Sequence, residues 1–380
     1  MTKNFLRFIK VNKMASRDLI YRQLQNVLDE RLPVGFPATE SGIEIRVLKH
    51  LFTPEEGEIA IFLTILPEPL EEIHKRVVQS GISINLYEVE EILDGLVKKG
   101  AIVGGSRLAD KSGNHYSLMP FAIGFYETQL DKQTKEFASD AYEYLYEKFY
   151  QEFHRKDTPA QMRTIPVEKS LTPEHYVGTY DNIKEIIKNK SGTISVMDCV
   201  CRQSKDLMEE PCKLGDIRNC CISFDDSAKH LLEEFPSARK ISKEELIELL
   251  DKFQKAGFVL QPVNVQNPSS ICVCCGCCCG VLQAAKQYPR PAEYYSSNFY
   301  AQSDPELCNG CETCLKRCPM EAITMVDDKS IVDLDRCIGC GNCVPTCGMK
   351  AMSLQKKEEE IVPFENSDAL YQEIMNKKMG

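Results

Sequence analysis

Eight of the chain's nineteen cysteines fall in two runs whose spacing suits a metal centre. The first is Cys308-x2-Cys311-x2-Cys314-x3-Cys318, and the second is Cys337-x2-Cys340-x2-Cys343-x3-Cys347. An offset of 29 superimposes all four cysteines, and carries Gly310 onto Gly339, Met320 onto Met349 and Ala322 onto Ala351. The segment is a duplicated unit. Thiolate is a soft ligand, suited to iron–sulfur and zinc centres. Three cysteines at three-residue intervals can wrap three corners of a four-iron cubane with one tight loop. The fourth corner faces away from that loop, so a distant cysteine has to reach it. Gly310, Gly339 and Gly341 let the backbone turn closely around such a core. A zinc ribbon would use two separated CxxC pairs instead.

This spacing resembles that of the bacterial two-cluster ferredoxins, in which the fourth cysteine of each arm ligates the other arm's cluster. The resemblance implies two [4Fe–4S] clusters. Cys308, Cys311, Cys314 and Cys347 would hold one, and Cys337, Cys340, Cys343 and Cys318 the other. Pro319 follows the first arm as expected, whereas Gly348 stands where the second arm's proline belongs, a change that touches only the local turn.

Eleven further cysteines lie upstream. Cys199 and Cys201 flank Val200 ahead of Arg202, and Cys212, Cys220 and Cys221 come after them. SSICVCCGCCCG then packs Cys272, Cys274, Cys275, Cys277, Cys278 and Cys279 into eight residues. Buried free thiols account for one or two cysteines, not for adjacent clusters. Thiolate softness and number point to one or two additional iron–sulfur clusters, with an all-cysteine zinc site as the alternative. Sequence order groups Cys199, Cys201, Cys212 and Cys220 as one four-thiolate set, with the CCGCCC run supplying a second site or replacing one of these ligands. Vicinal side chains point to opposite sides of an extended chain, so that run can serve two centres. Arg202 either offsets thiolate charge or is a solvated surface residue. The vicinal cysteines also resemble those of noncubane clusters in heterodisulfide-reductase-type subunits, from whose repeated CCG pattern this spacing departs.

Positioning elements surround these runs. The charge of −10 argues against a nucleic-acid coat. The opening MTKNFLRFIKVNK lacks an apolar core and cleavage site, and the longest apolar run, IAIFLTIL, is too short to cross a bilayer. Both predict a reducing, cytoplasmic setting, where thiols bind metal rather than form disulfides. Residues 17–31 repeat apolar positions at helical spacing. From Thr53 three helices come in succession, EEGEIAIFLTIL, LEEIHKRVVQ and LYEVEEILDGLVKKG, and then a hairpin from AIVGG to HYSLM. This order resembles a winged helix-turn-helix over residues 1–126. Its third helix presents Glu88, Glu90, Glu91 and Asp94 where a DNA reader needs cations, which favours protein docking over DNA. Residues 127–180 read as one long helix to His154, with an aromatic stripe of Tyr142, Tyr146, Phe149, Tyr150 and Phe153, and a proline-spaced linker. Residues 181–298 form a cysteine-rich α+β region, residues 299–355 the two-cluster unit, and residues 356–380 a charged helical tail. The fold class expected is α+β, multidomain.

The whole order resembles a group of anaerobe ferredoxin-type proteins, in which a GFPAT…LFTPEE module precedes CxCR, ICxCCxCCC and a terminal two-cluster ferredoxin. Here these are Gly35–Thr39, Leu51–Glu56, Cys199–Cys220, Ile271–Cys279 and Cys308–Cys347. The resemblance implies an accessory electron-transfer subunit that docks a partner oxidoreductase or electron carrier. Neither a GxGxxG nor a GxxxxGK[ST] motif is present, so hydride chemistry would belong to that partner. Two other functions fit the pattern: an enzyme with a substrate-binding cluster in the middle region, and a redox-responsive winged-helix regulator.

Overall fold

The structure, a computed structural model, describes residues 18–175 and 177–379. The opening segment read for a leader lies outside them. The chain divides into two compact units between Glu152 and Phe153. Helix and strand are mixed in both, and among the described residues no helix is long and apolar enough to cross a membrane.

The first unit begins with α1 (18–31), α2 (Ile43–Leu51) and α3 (Pro54–Ala60). Thr53 caps α3 with a full capping box to Glu56. The helix stops at Ala60 rather than running through IFLTIL, and Phe62 and Leu63 continue as turn hydrogen bonds. Strand β1 (Glu68–Pro69) precedes α4 (Leu70–Gln79) and α5 (Leu86–Lys99), which ends on left-handed Gly100. The hairpin of β2 (Val103–Asp110) and β3 (Gly113–Ser117) completes a three-stranded sheet in the order β1-β3-β2. Two carboxylates of α5 are tied to that hairpin: Asp94 accepts from Tyr116 Oη at 2.7 Å and Glu90 from Asn114 Nδ2 at 2.9 Å.

The expected long helix starts later than residue 127. Glu127–Gln129 is a 3-10 turn, α6 covers Lys135–Tyr144, a π turn covers Leu145–Phe149, and α7 covers Tyr150–Phe153. The π turn adds a residue to the helical repeat and shifts its phase. Tyr142, Phe149 and Phe153 of the predicted stripe are buried, Tyr146 and Tyr150 are half-buried, and Tyr144, outside the stripe, is fully buried against Phe36 and Phe121.

The second unit is built on a five-stranded antiparallel sheet in the order β6-β4-β5-β8-β7. Its strands and helices alternate as α8 (Ile183–Asn189), β4 (Ile194–Asp198), α9 (Val200–Leu207), β5 (Asn219–Phe224), α10 (Asp225–Glu234), β6 (Arg239–Ile241), α11 (Lys243–Ala256), β7 (Val259–Pro262) and β8 (Ser270–Cys274). Ser242 caps α11 by accepting from Glu245 N, but the Glu245 carboxylate pairs with Arg239 instead of closing a capping box. The proline-spaced stretch read as a linker is packed: Met162 and Ile165 bridge to Val263 and Leu260, and Arg163 forms a buried ion pair with Asp181.

The cysteine runs sit on the remaining elements. These are α12 (Gly280–Ala285), β9 (Phe299–Ser303), α13 (Thr313–Arg317), the hairpin of β10 (Ile323–Val326) and β11 (Lys329–Val332), and β12 (Met352–Lys356), which pairs with β9. The tail helix α14 (Ser367–Met379) packs Leu370 and Ile374 on Val263 and Val265.

Candidate metal centres

The eight downstream cysteines surround two hollows. Cys308, Cys311, Cys314 and Cys347 line one. Cys318, Cys337, Cys340 and Cys343 line the other. In each hollow three cysteines come from one arm and the fourth from the other, the crossed grouping that the resemblance implies. The donor chemistry repeats at the same offset. Ala322 N–H points at Cys318 Sγ at 3.2 Å, and its equivalent Ala351 N–H points at Cys347 Sγ at 3.2 Å. Ala301 N–H faces Cys337 Sγ at 3.4 Å, and Ser330 N–H faces Cys308 Sγ at 3.4 Å. Such donors stabilise thiolate and cluster sulfur.

Backbone geometry fits the same use. Gly339 is left-handed, with φ 70°, and a side chain there would strike the Phe299 carbonyl and the Ser297 hydroxyl. Gly310, with φ 75°, sits 2.8 Å, measured from its would-be Cβ, from the Asp328 carbonyl. Only glycine fits either cradle.

The hollows differ electrostatically. Ser330's hydroxyl and backbone donors hold the Cys308 thiol below its ordinary value, and Thr313's hydroxyl does the same for Cys311. Burial instead pushes Cys340 up to about 12 and raises Cys343. Sequence reasoning did not find Ser330 or Thr313, because nothing in cysteine spacing marks a hydroxyl contributed by a neighbouring hairpin.

The upstream cysteines sort into two groups because side chains alternate along β8 and its following turn. Cys212, from the irregular segment between α9 and β5, meets Cys275, Cys277 and Cys278, all four sulfurs lying within 4.8 Å of one another. Sequence order had grouped Cys212 with Cys199, Cys201 and Cys220. On the other side, Cys201 contacts Cys199 and Cys279, and Cys274 contacts Cys279 and Cys272, a row rather than a closed group. Cys220 joins neither: it donates to the Arg218 carbonyl at 3.0 Å and accepts from Arg202 Nη1. Cys221 is paired with Cys272 across β5 and β8.

Arg202 is not a surface residue. It is 1 % exposed, donates to the Val273 carbonyl at 2.9 Å, and stacks 4.3 Å from the Phe258 ring centroid. Although burial opposes its charge, the sulfurs of Cys199, Cys275 and Cys212 raise its pKa above the ordinary arginine value. It lies between the two thiol groups.

The upstream groups and the duplicated unit share one core. Cys274 and Cys279 pack in a cluster with Met320, Ile338 and Cys340, against which Cys318 also rests. Gly276 meets the Pro319 backbone so closely that a Cβ would lie 2.5 Å from its carbonyl oxygen. Arg317 Nη2 donates to the Gln254 and Lys255 carbonyls at 2.6 Å each, closing the C-terminal end of α11. Asn342 Nδ2 donates to Gly257 O and Phe258 O, and Val167 N to Cys340 O.

Residues 300–348 match the family model described as a 4Fe-4S dicluster domain. The chain therefore carries a ferredoxin-type iron–sulfur unit. No curated protein and no solved structure matches the chain.

Proposed function

We propose that this protein transfers single electrons to a partner oxidoreductase through two [4Fe–4S] clusters and a further cluster upstream. The observation that carries the reading is the pair of four-cysteine hollows built by a duplicated sequence, one of them sharing a core with the upstream thiols. Cys308, Cys311, Cys314 and Cys347 ligate the first cluster, and Cys318, Cys337, Cys340 and Cys343 the second. When bound, each cluster supplies a site that accepts and releases one electron. The chain's own part is to ligate, to aim N–H groups at sulfur, and to exclude water from Cys340 and Cys343. Cys199, Cys201, Cys274 and Cys279, with Cys272 beside them, are the ligands proposed for the further cluster. The contact of Gly276 with Pro319 holds that row next to the second hollow.

Residues 1–126 serve as a winged-helix-like docking module rather than a DNA reader, since the carboxylates of α5 face outward or bond its own hairpin. Residues 181–298 and 299–355 act as one redox body, stitched by Arg317 and Asn342.

A spectroelectrochemical titration of the anaerobically purified chain tests the reading. One-electron Nernstian steps, with rapid oxidation of the reduced chain by a one-electron dye, are expected. Two-electron steps, or no redox-active iron, would overturn it.

A further inference from the structure

We infer that Cys212, Cys275, Cys277 and Cys278 bind one tetrahedral zinc ion, a mononuclear structural site distinct from the electron-carrying clusters. Sulfur geometry carries this assignment, independently of the proposed relay.

Four ligands around a single ion sit at the corners of a tetrahedron. With a Zn–S bond of about 2.3 Å, the edge of that tetrahedron is about 3.8 Å. Cys212 Sγ lies 3.8 Å from Cys275 Sγ and 3.8 Å from Cys277 Sγ, and Cys277 Sγ lies 3.8 Å from Cys278 Sγ. In a cubane each cysteine sulfur stands one bond outside a different iron, so the four are spread far wider. The duplicated unit provides the internal comparison. Its two cysteine sets each line a hollow, and among the described residues neither set closes to within 4.8 Å as the Cys212 group does. One fold thus holds two kinds of four-cysteine arrangement, wide and tight.

The surroundings require charge at the tight site. A four-thiolate zinc centre carries a formal charge of about −2, which cannot be buried uncompensated. Arg202 is buried beside it and has, among the described residues, no carboxylate partner to account for its own burial. The N–H groups of Leu214 and Lys213 point at Cys212 and Cys277. With four protein ligands the site has no open position, the mark of a structural rather than catalytic zinc. Zinc rather than ferrous iron is expected from the general affinity order.

The consequence is mechanical. The segment from Glu209 to Arg218 has no regular secondary structure, and Cys212 staples it to the turn after β8. The same turn presents Gly276 to Pro319. Zinc therefore fixes the joint between the upstream thiols and the second hollow.

The test is zinc, iron and sulfide analysis of the full chain purified anaerobically, with zinc K-edge absorption. The expected result is about one zinc per chain, with a single sulfur shell near 2.3 Å and no metal–metal scattering. Cys277→Ser should lower zinc at least fivefold while iron and sulfide stay unchanged. The absorption measurement on the unaltered chain decides the matter even if that variant fails to fold. A chain without zinc, zinc with an oxygen or nitrogen shell, or iron and sulfide falling together in Cys277→Ser would overturn the inference. None of these results bears on the one-electron steps of the ferredoxin unit, so the two readings fail separately.

Discussion

Replacing Gly276 by alanine tests whether the CCGCCC turn and the ferredoxin arm form one joint. Gly276 does not occupy the left-handed region, so alanine meets no backbone penalty there. The new Cβ would lie 2.5 Å from Pro319 O, 2.9 Å from Pro319 Cα and 3.1 Å from Pro319 C. All three are backbone atoms, so no flexible side chain can swing away. The turn or the Cys318–Pro319 loop has to move by several tenths of an ångström. Overpacking of this kind costs about 1–3 kcal/mol. For a unit of this size that is a fall in Tm of about 2–12 °C. Because the displaced loop carries Cys318, the disturbance should be local to the second hollow. EPR of the reduced chain should show the line shape of one cluster altered and the other retained. Gly348→Ala, with nothing within 4 Å of its Cβ, is the control and should change neither. If Gly276→Ala melts with the parent protein and leaves both signals unaltered, the turn and the arm do not form one joint.

The same geometry sets other outcomes. Arg202→Met keeps the stacking bulk over Phe258 but strips the cation from the thiolates, and should cost about 3–5 kcal/mol and reduce bound metal, read by denaturant unfolding with metal analysis. Gly339→Ala should cost one cluster, about four iron and four sulfide per chain, since its cradle belongs to the second arm and its φ of 70° disfavours alanine. Ser330→Ala removes the hydroxyl 3.5 Å from Cys308 Sγ; a lost hydrogen bond of up to about 1.4 kcal/mol would shift that cluster's potential more negative by up to about 60 mV, measured by voltammetry. The more buried cluster, at Cys340 and Cys343, should be the lower-potential one, because burial penalises the extra negative charge of its reduced form. A low-salt binding assay with duplex DNA should give no sequence-selective complex, as the exposed carboxylates of α5 would face phosphate.

Much of the downstream centre was legible because a cubane imposes a spacing that few other structures share. The duplicated CxxCxxCxxxC run carried the resemblance to two-cluster ferredoxins, which implies the crossed grouping, and glycines marked where backbone approaches the core. The capped helices α3, α5 and α11 were legible for a similar local reason. The upstream grouping was not, because it depends on a long-range event: β5 and β8 pairing brings Cys212 to a turn more than sixty residues on. Alternation in the CCGCCC run did suggest service to two centres, but not which cysteine would complete each. For Arg202 the sequence left thiolate charge compensation and a solvated surface position both open, and only the placement of the Phe258 ring and the sulfurs around it separates them. Of the aromatic stripe, Tyr142, Phe149 and Phe153 are buried as read, while the π turn at Leu145–Phe149 interrupts the helical repeat and leaves Tyr146 and Tyr150 half-buried. Nothing in composition announces such a turn.

Two clusters, each carrying one electron, are what the duplicated cysteines are proposed to hold. Reductive EPR titration of the full chain, with iron and acid-labile sulfide measured on the same sample, bears on that proposal without intermediaries. At least about eight iron and eight sulfide per chain are expected, with two cluster signals from the duplicated unit, each growing in over a one-electron step. Iron without sulfide, a single cluster signal, or a two-electron step would refute it.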